Sequence, residues 1–150
     1  MDSKIFKEDH ILFDESAKTQ EEAFKVIAEV AFEKGYVSDE TTFFKGLKER
    51  ENEATTGFKE GIAIPHSKDA SVIKPGMFLI KFKHAIHWQA LDQKPVNTVF
   101  ALTIPEEGAS EHLKLLSLIA RKLIDTDFRE GILANNDTKK LASIIDTIDF

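Results

Sequence analysis

Gly61-Ile62-Ala63-Ile64-Pro65-His66, residues 61–66, is a short apolar run that meets a proline and then presents a histidine. Proline has no backbone N–H and pushes the preceding residue into extended geometry. The run therefore reads as a strand whose pairing stops at Pro65, with the His66 imidazole projecting beyond the sheet edge. Two further strands are expected, from Met77 to Lys83 and from Asn97 to Ile104. In the first, Phe78, Ile80 and Phe82 alternate with Lys81 and Lys83, the pattern of one covered and one wetter face. The second is nearly all apolar and reads as a central strand. A short piece around Ile86 and Trp88 adds an edge before the turn at Leu91-Asp92-Gln93-Lys94-Pro95.

Helices flank these strands on both sides in sequence. Thr19-Gln20-Glu21-Glu22 has the capping-box pattern, followed by Phe24, Ile27, Ala28 and Ala31 at helical spacing and a stop at Gly35. Ser38-Asp39 caps a second helix that buries Phe43, Phe44 and Leu47 and carries Arg50 near its end. After Ser110 come a stripe of Leu116, Ile119, Ala120 and Leu123, a shorter helix over 127–134, and a last stripe of Leu141, Ile144, Ile145 and Ile148. This order implies an α/β fold, a sheet covered by helices on its faces.

Composition bounds the partners. With 150 residues and 42% hydrophobic content the chain suits one domain, 1–150, with a single compact core. It has no cysteine, which excludes disulfides, thiolate metal sites and cysteine nucleophiles. A formal charge of −6 and scattered lysines argue against nucleic acid as a partner. The charged amino-terminus lacks a signal-peptide pattern, and no run approaches the roughly 18 apolar residues needed to span a bilayer. A cytoplasmic chain with no membrane insertion of its own is expected. His84 and His87 have an H-x-x-H spacing, but positions three apart on a strand face opposite ways, so no metal or other cofactor is expected. His10 lies in a polar segment and is expected to be exposed.

His112 falls in the first turn of the helix after Ser110, on the side of Leu116 and Ile119, which leans it towards the sheet beside unpaired N–H groups. Arg50, inside Lys48-Glu49-Arg50-Glu51, reads from pattern alone as part of a solvated charged face. Pattern alone thus stops at a soluble α/β domain with an exposed histidine.

The motifs taken in order go further. Arg50-Glu51, Thr55-Thr56-Gly57, Gly61 to His66, and Glu111-His112-Leu113-Lys114-Leu115-Leu116 together resemble the enzyme IIA domain of the fructose/mannitol branch of the bacterial phosphoenolpyruvate-dependent sugar phosphotransferase system, across essentially the whole chain. The resemblance implies a three-layer domain with a mixed β-sheet between α-helices, the phosphotransferase/anion transport protein-like fold. It implies that His66 accepts a phosphoryl group from the phosphorylated histidine phosphocarrier protein and passes it to an enzyme IIB of a sugar permease. Arg50 matches the family's active-site arginine and His112 its second histidine, expected to hydrogen-bond phosphoryl oxygens. Thr56 would contact phosphate or backbone, and Glu60 would orient a ring. Phe58-Lys59-Glu60 departs from the glycine-and-asparagine stretch of many relatives, which affects the entry loop. Phe58 and Ile64 are candidates for an apolar ring around His66. Two functional classes follow: sugar uptake, with fructose first, or a regulatory, nitrogen-related module in which phosphorylation of His66 switches partners. An architecture-only likeness to anion-transporter cytoplasmic domains is a third reading.

Overall fold

The computed structural model describes residues 1–150. In chain order they form a 3-10 turn (Glu8–His10), β1 (Ile11–Asp14), α1 (Gln20–Glu33), α2 (Glu40–Glu53), β2 (Ile62–Ala63), β3 (His66–Asp69), β4 (Gly76–Ile86), β5 (Val96–Pro105), α3 (Ala109–Lys122), α4 (Thr126–Ala134) and α5 (Thr138–Ile145). The helix starts are written locally. Thr19 Oγ1 accepts from the Glu22 N–H, while the Glu22 carboxylate reaches back to the Lys18 N–H, one residue beyond the usual capping-box partner. Asp39 caps α2 through the Thr42 N–H. Gly35, at φ +82°, ends α1 in the left-handed region that glycine enters without strain.

The sheet is mixed. Its order is β1-β4-β5-β2, with β3 also on β5; β4 and β5 are antiparallel and the remaining pairs parallel. The edge around Pro65 differs from the sequence reading. Pairing does not end at the proline: the Leu102 N–H donates to the Pro65 carbonyl, and β3 resumes alongside β5 in the register that β2 began, Ile62 opposite Thr98 and His66 opposite Leu102. A proline is tolerated here because the strand is at the edge, where one N–H per pair of residues has no strand to meet. His66 therefore lies inside a strand and is only 7% exposed, instead of projecting past it. Strand β1 was not anticipated at all, and the piece around Ile86 is the irregular end of β4, with Trp88 beyond it.

Both faces of the sheet are covered, giving two cores where a single one was expected. Phe78, Ile80 and Phe82 pack with Phe24, Ile27, Phe43 and Leu47 of α1 and α2. Met77 and Leu79, on the alternate face, pack with Leu115, Ile119, Ile132, Leu141 and Ile145 of α3 to α5. The face of β4 expected to be wetter is thus the floor of a second core. Lys81 survives there because its Nζ donates to the Ile132 and Asn135 carbonyls, 2.9 and 2.6 Å away, at the end of α4. It satisfies helix-end acceptors that have no intrahelical donor. Burial lowers its pKa.

His10 also departs from expectation: it is 2% exposed. Its ring stacks on Phe78 at 4.5 Å, and Nδ1–H donates to the Met77 carbonyl at 3.0 Å. Nε2 is then an acceptor, and the single proton of the Tyr36 hydroxyl is shared between it, at 3.2 Å, and the Lys4 carbonyl, at 3.1 Å. These contacts clamp the amino-terminal segment to the start of β4.

Candidate functional site

The site begins with how α2 approaches β3. Gly46 lies on α2 where an added Cβ would overlap Ser67 Oγ and come within 2.7 Å of Asp69 Oδ2. Residue 50 stands one turn on, at i+4 of the same helix face. Close approach at Gly46 therefore sets the distance at which Arg50 meets His66. Arg50 Nε–H donates to His66 Nε2 at 3.2 Å, and its Nη1–H donates to the Ala54 carbonyl at 2.7 Å. Asp69 is itself fixed by Ser67 and Ser71 hydroxyls.

Gly46→Ala is expected to cost about 1–3 kcal/mol, the usual range for overpacking. It should also loosen the Arg50 to His66 contact. Urea denaturation together with imidazole NMR titration of His66 measures both effects.

The ring of His66 is held from two sides. A carbonyl only accepts, so Nδ1 carries the proton and donates to the Ile64 carbonyl at 2.9 Å. That leaves the Nε2 lone pair facing the Arg50 guanidinium. The Ile64 carbonyl is left for the ring because the ladder on β5 is carried past it by the Pro65 carbonyl, which accepts from the Leu102 N–H, while the Ile64 N–H donates to the Thr56 carbonyl at 2.9 Å. Burial, then the Arg50 charge, push the His66 pKa below its ordinary value, against a raising pull from the Ile64 hydrogen bond and from Glu51 and Glu53. The imidazole is neutral near pH 7, with a nucleophilic nitrogen beside a permanent cation.

A cavity of about 380 Å³ opens here, lined by Gly46, Glu49, Arg50, Glu53, His66 and Leu113 among others. Its chemistry is a neutral ring, two cations, Arg50 and Lys68, and a carboxylate rim. Such a set can form a covalent bond at Nε2 and steady negative oxygen around it.

The remaining anticipated residues fall elsewhere. Thr56 is buried, and its hydroxyl and N–H both donate to the Glu51 carboxylate; it braces the strand before His66. Glu60 is exposed at φ +57°, its N–H on Asp92 Oδ2 and its carboxylate 3.8 Å from Lys94 Nζ, away from the residues that line the cavity. His112 is half-buried and lines a separate, larger cavity with Lys4, Lys74 and Lys114. No hydrogen bond joins it to His66. Ile64 is 6% exposed, so it cannot belong to an exposed apolar ring, while Phe58 is half-buried. Sequence reading missed Gly46, although a glycine within a helical stripe is a signal of close backbone approach. It also missed Leu113, 38% exposed at the mouth of the cavity.

His10 and His66 give the fold a pH dependence. Burial holds both pKa values below about 6.5, the value expected in the unfolded chain. Below that value the unfolded chain binds more protons than the folded one. Their contribution is therefore full above about pH 6.5 and is lost as pH falls towards the depressed values, with a slope of at most about 1.4 kcal/mol per pH unit for each histidine. Urea midpoints at pH 7.5 and 5.5 should differ in that direction; equal midpoints would contradict the burial of these rings.

The family model for the phosphoenolpyruvate-dependent sugar phosphotransferase system, EIIA 2, matches residues 4–148. The chain belongs to this family. Among EIIA relatives, the fructose-specific EIIA component of Haloferax volcanii is 33% identical over 135 residues, 90% of this chain and 88% of that protein. Among solved EIIA structures, the nitrogen regulatory protein IIA-Ntr of Neisseria meningitidis superposes with a TM-score of 0.86 at 27% identity, covering 95% of this chain and 97% of that one. The Escherichia coli complex of IIAMTL with phosphorylated IIBMTL contains the same EIIA fold, with a TM-score of 0.78 at 18% identity over 95% and 97% of the two chains. The expected three-layer α/β architecture with a mixed sheet is therefore that of the EIIA fold. No helix is long and apolar enough to cross a membrane.

Proposed function

We propose that this chain is a phosphoryl carrier in sugar uptake, accepting phosphate from the phosphorylated histidine phosphocarrier protein onto His66 Nε2 and passing it to an enzyme IIB. The observation that supports this most is the Arg50–His66–Ile64 arrangement, which leaves one ring nitrogen unprotonated beside a cation. In the first step the Nε2 lone pair bonds to phosphorus as the donor's phosphorus–nitrogen bond breaks. The proton stays on Nδ1, donated to the Ile64 carbonyl, so no separate base is needed. Arg50 then moves from the ring nitrogen to the phosphoryl oxygens, whose charge is spread over the loose transition state. The second step reverses this, with an IIB side chain as nucleophile. His66 and Arg50 are the residues proposed to act on the phosphoryl group. Thr56 has a positioning part through Glu51 and Ile64.

Likeness to the fructose-specific relative favours fructose as the transported sugar. The second reading, a regulatory module that changes partners when His66 carries phosphate, is favoured by the likeness to IIA-Ntr. One reconstitution separates them. Phosphoenolpyruvate, enzyme I and the phosphocarrier are supplied, then purified IIB proteins are added and the label is followed. Discharge to a fructose IIB supports transport; charging with no discharge to any IIB supports regulation; absence of charging overturns both.

A further inference from the structure

The last turn of α2 carries a carboxylate that the transfer steps leave without a part. Glu51 follows Arg50 and is half-buried, yet it does not line the cavity at His66. The helix dipole disfavours an acidic side chain at the carboxyl end of a helix. No lysine or arginine nitrogen lies within 4 Å of this one to offset that cost. What the carboxylate engages instead is Thr56: Oε2 accepts from the Thr56 N–H at 2.7 Å and Oε1 accepts from the Thr56 hydroxyl. Thr56 is buried, so loss of the acceptor would leave two donors unsatisfied.

Thr56 opens a short antiparallel arm that ends at the His66 ring. Its carbonyl accepts from the Ile64 N–H at 2.9 Å, Gly57 bridges Ala63, and the Phe58 N–H donates to the Ile62 carbonyl at 2.8 Å. The Ile64 carbonyl in turn accepts from His66 Nδ1–H at 2.9 Å. Ala54, just before the arm, is tied to the same helical turn by the Arg50 Nη1–H at 2.7 Å. Both ring nitrogens are thus referred to consecutive residues of α2, Nε2 to Arg50 directly and Nδ1 to Glu51 through Thr56 and Ile64.

We propose that Glu51 is a positioning residue for transfer at His66, anchoring the 56–58 arm on α2 so that the Ile64 carbonyl holds Nδ1–H and Nε2 is aimed at the incoming phosphorus. Such a role rests on the phosphoryl-carrier reading of His66 and extends it. Aim matters because a misplacement of about 1 Å at a reacting atom can cost about 10²-fold in rate. The carboxylate also acts through space. Burial lowers the His66 pKa most; among nearby charges Arg50 lowers it further, while Glu51 and Glu53 raise it. The other charged groups around the ring, Glu49, Lys68 and Asp69, line its cavity.

Glu51→Ala should slow single-turnover phosphate uptake by about ten- to a hundredfold. The loss should fall on the maximal rate and not on the phosphocarrier concentration at half-saturation, since Glu51 is outside the cavity. Glu51→Gln should recover most of it, because an amide oxygen can take the Thr56 N–H and an amide N–H can donate to the Thr56 hydroxyl oxygen. Without the negative charge that raises the His66 pKa, Glu51→Gln should also move the acid limb of the rate profile to lower pH. Thr56→Val, which keeps the N–H and loses the hydroxyl, should fall between the two. A second readout needs no transfer: in the unphosphorylated, isotope-labelled chain, NMR should show the His66 Nδ1 proton exchanging with water about tenfold faster or more in Glu51→Ala, and near the wild-type rate in Glu51→Gln. Should Glu51→Ala lose its fold by circular dichroism, Thr56→Val takes its place in both measurements, with smaller effects expected. A wild-type uptake rate in the folded variant, or unchanged exchange of the Nδ1 proton, overturns the role of Glu51 alone. Absence of uptake by the wild-type chain overturns the carrier reading and the role of Glu51 with it.

Discussion

His66→Ala is expected to take up no acid-labile phosphate when phosphoenolpyruvate, enzyme I and the phosphocarrier are all supplied. The chain has four other histidines, of which His10 is buried, its ring locked between Met77, Tyr36 and Phe78 with both nitrogens engaged. Only His66 is held with Nδ1 on a carbonyl and Nε2 against a guanidinium. The substitution leaves the Ile64 carbonyl without its partner, at a cost of about 1–3 kcal/mol, so a thermal melt must accompany the labelling. A folded variant that still takes up label would move the nucleophile elsewhere.

Arg50→Met should slow phosphate uptake by about 10²–10³-fold, the usual effect of removing one preorganised donor to a developing negative charge. Arg50→Lys should recover part of this, because it restores charge without the planar fork. The variants also differ from a merely structural lesion in their pH profiles. Arg50 is one cause of the depressed His66 pKa, so losing its charge lets that pKa rise, although burial still holds it down. The acid limb of the rate profile therefore moves to higher pH in Arg50→Met and stays near wild type in Arg50→Lys. Single-turnover labelling between pH 5 and 8 reads both. A loss of rate with no shift of the limb would mean that Arg50 acts only by packing.

What could be read from the chain beforehand was what is decided within a few residues. The caps at Thr19 and Asp39 and the stop at Gly35 depend on neighbours three or four positions away, and they stand as anticipated. His10 depends on Met77 and Tyr36, 67 and 26 positions away, and nothing local reports that they will meet it. Alternation along β4 was legible, but the conclusion drawn from it was not sound. Lysine at 81 signals water only if no helix end needs a donor, and the end of α4 does. Pro65 was read as a terminus because proline removes one hydrogen bond, yet the ladder on β5 needs only its carbonyl to bridge the gap. At the site, the meeting of Arg50 with His66 was implied by motif order alone. The reason they can touch, a missing Cβ at Gly46, lies in packing between two elements. His112 illustrates the converse: its helix-face assignment placed it leaning inward, while the choice of cavity was set by segments at the far end of the sequence.

The acceptor that fixes the His66 ring is main chain, not side chain. No replacement at residue 64 can delete it, so the apolar strand is free to drift among Ile, Val or Leu without altering which nitrogen carries the hydrogen. Genetic change can reach the guanidinium in one codon, but it can reach this carbonyl only by rerouting the backbone around Pro65. The acid–base state of the ring is thus the mutationally robust half of the pair, and selection has to guard residue 50.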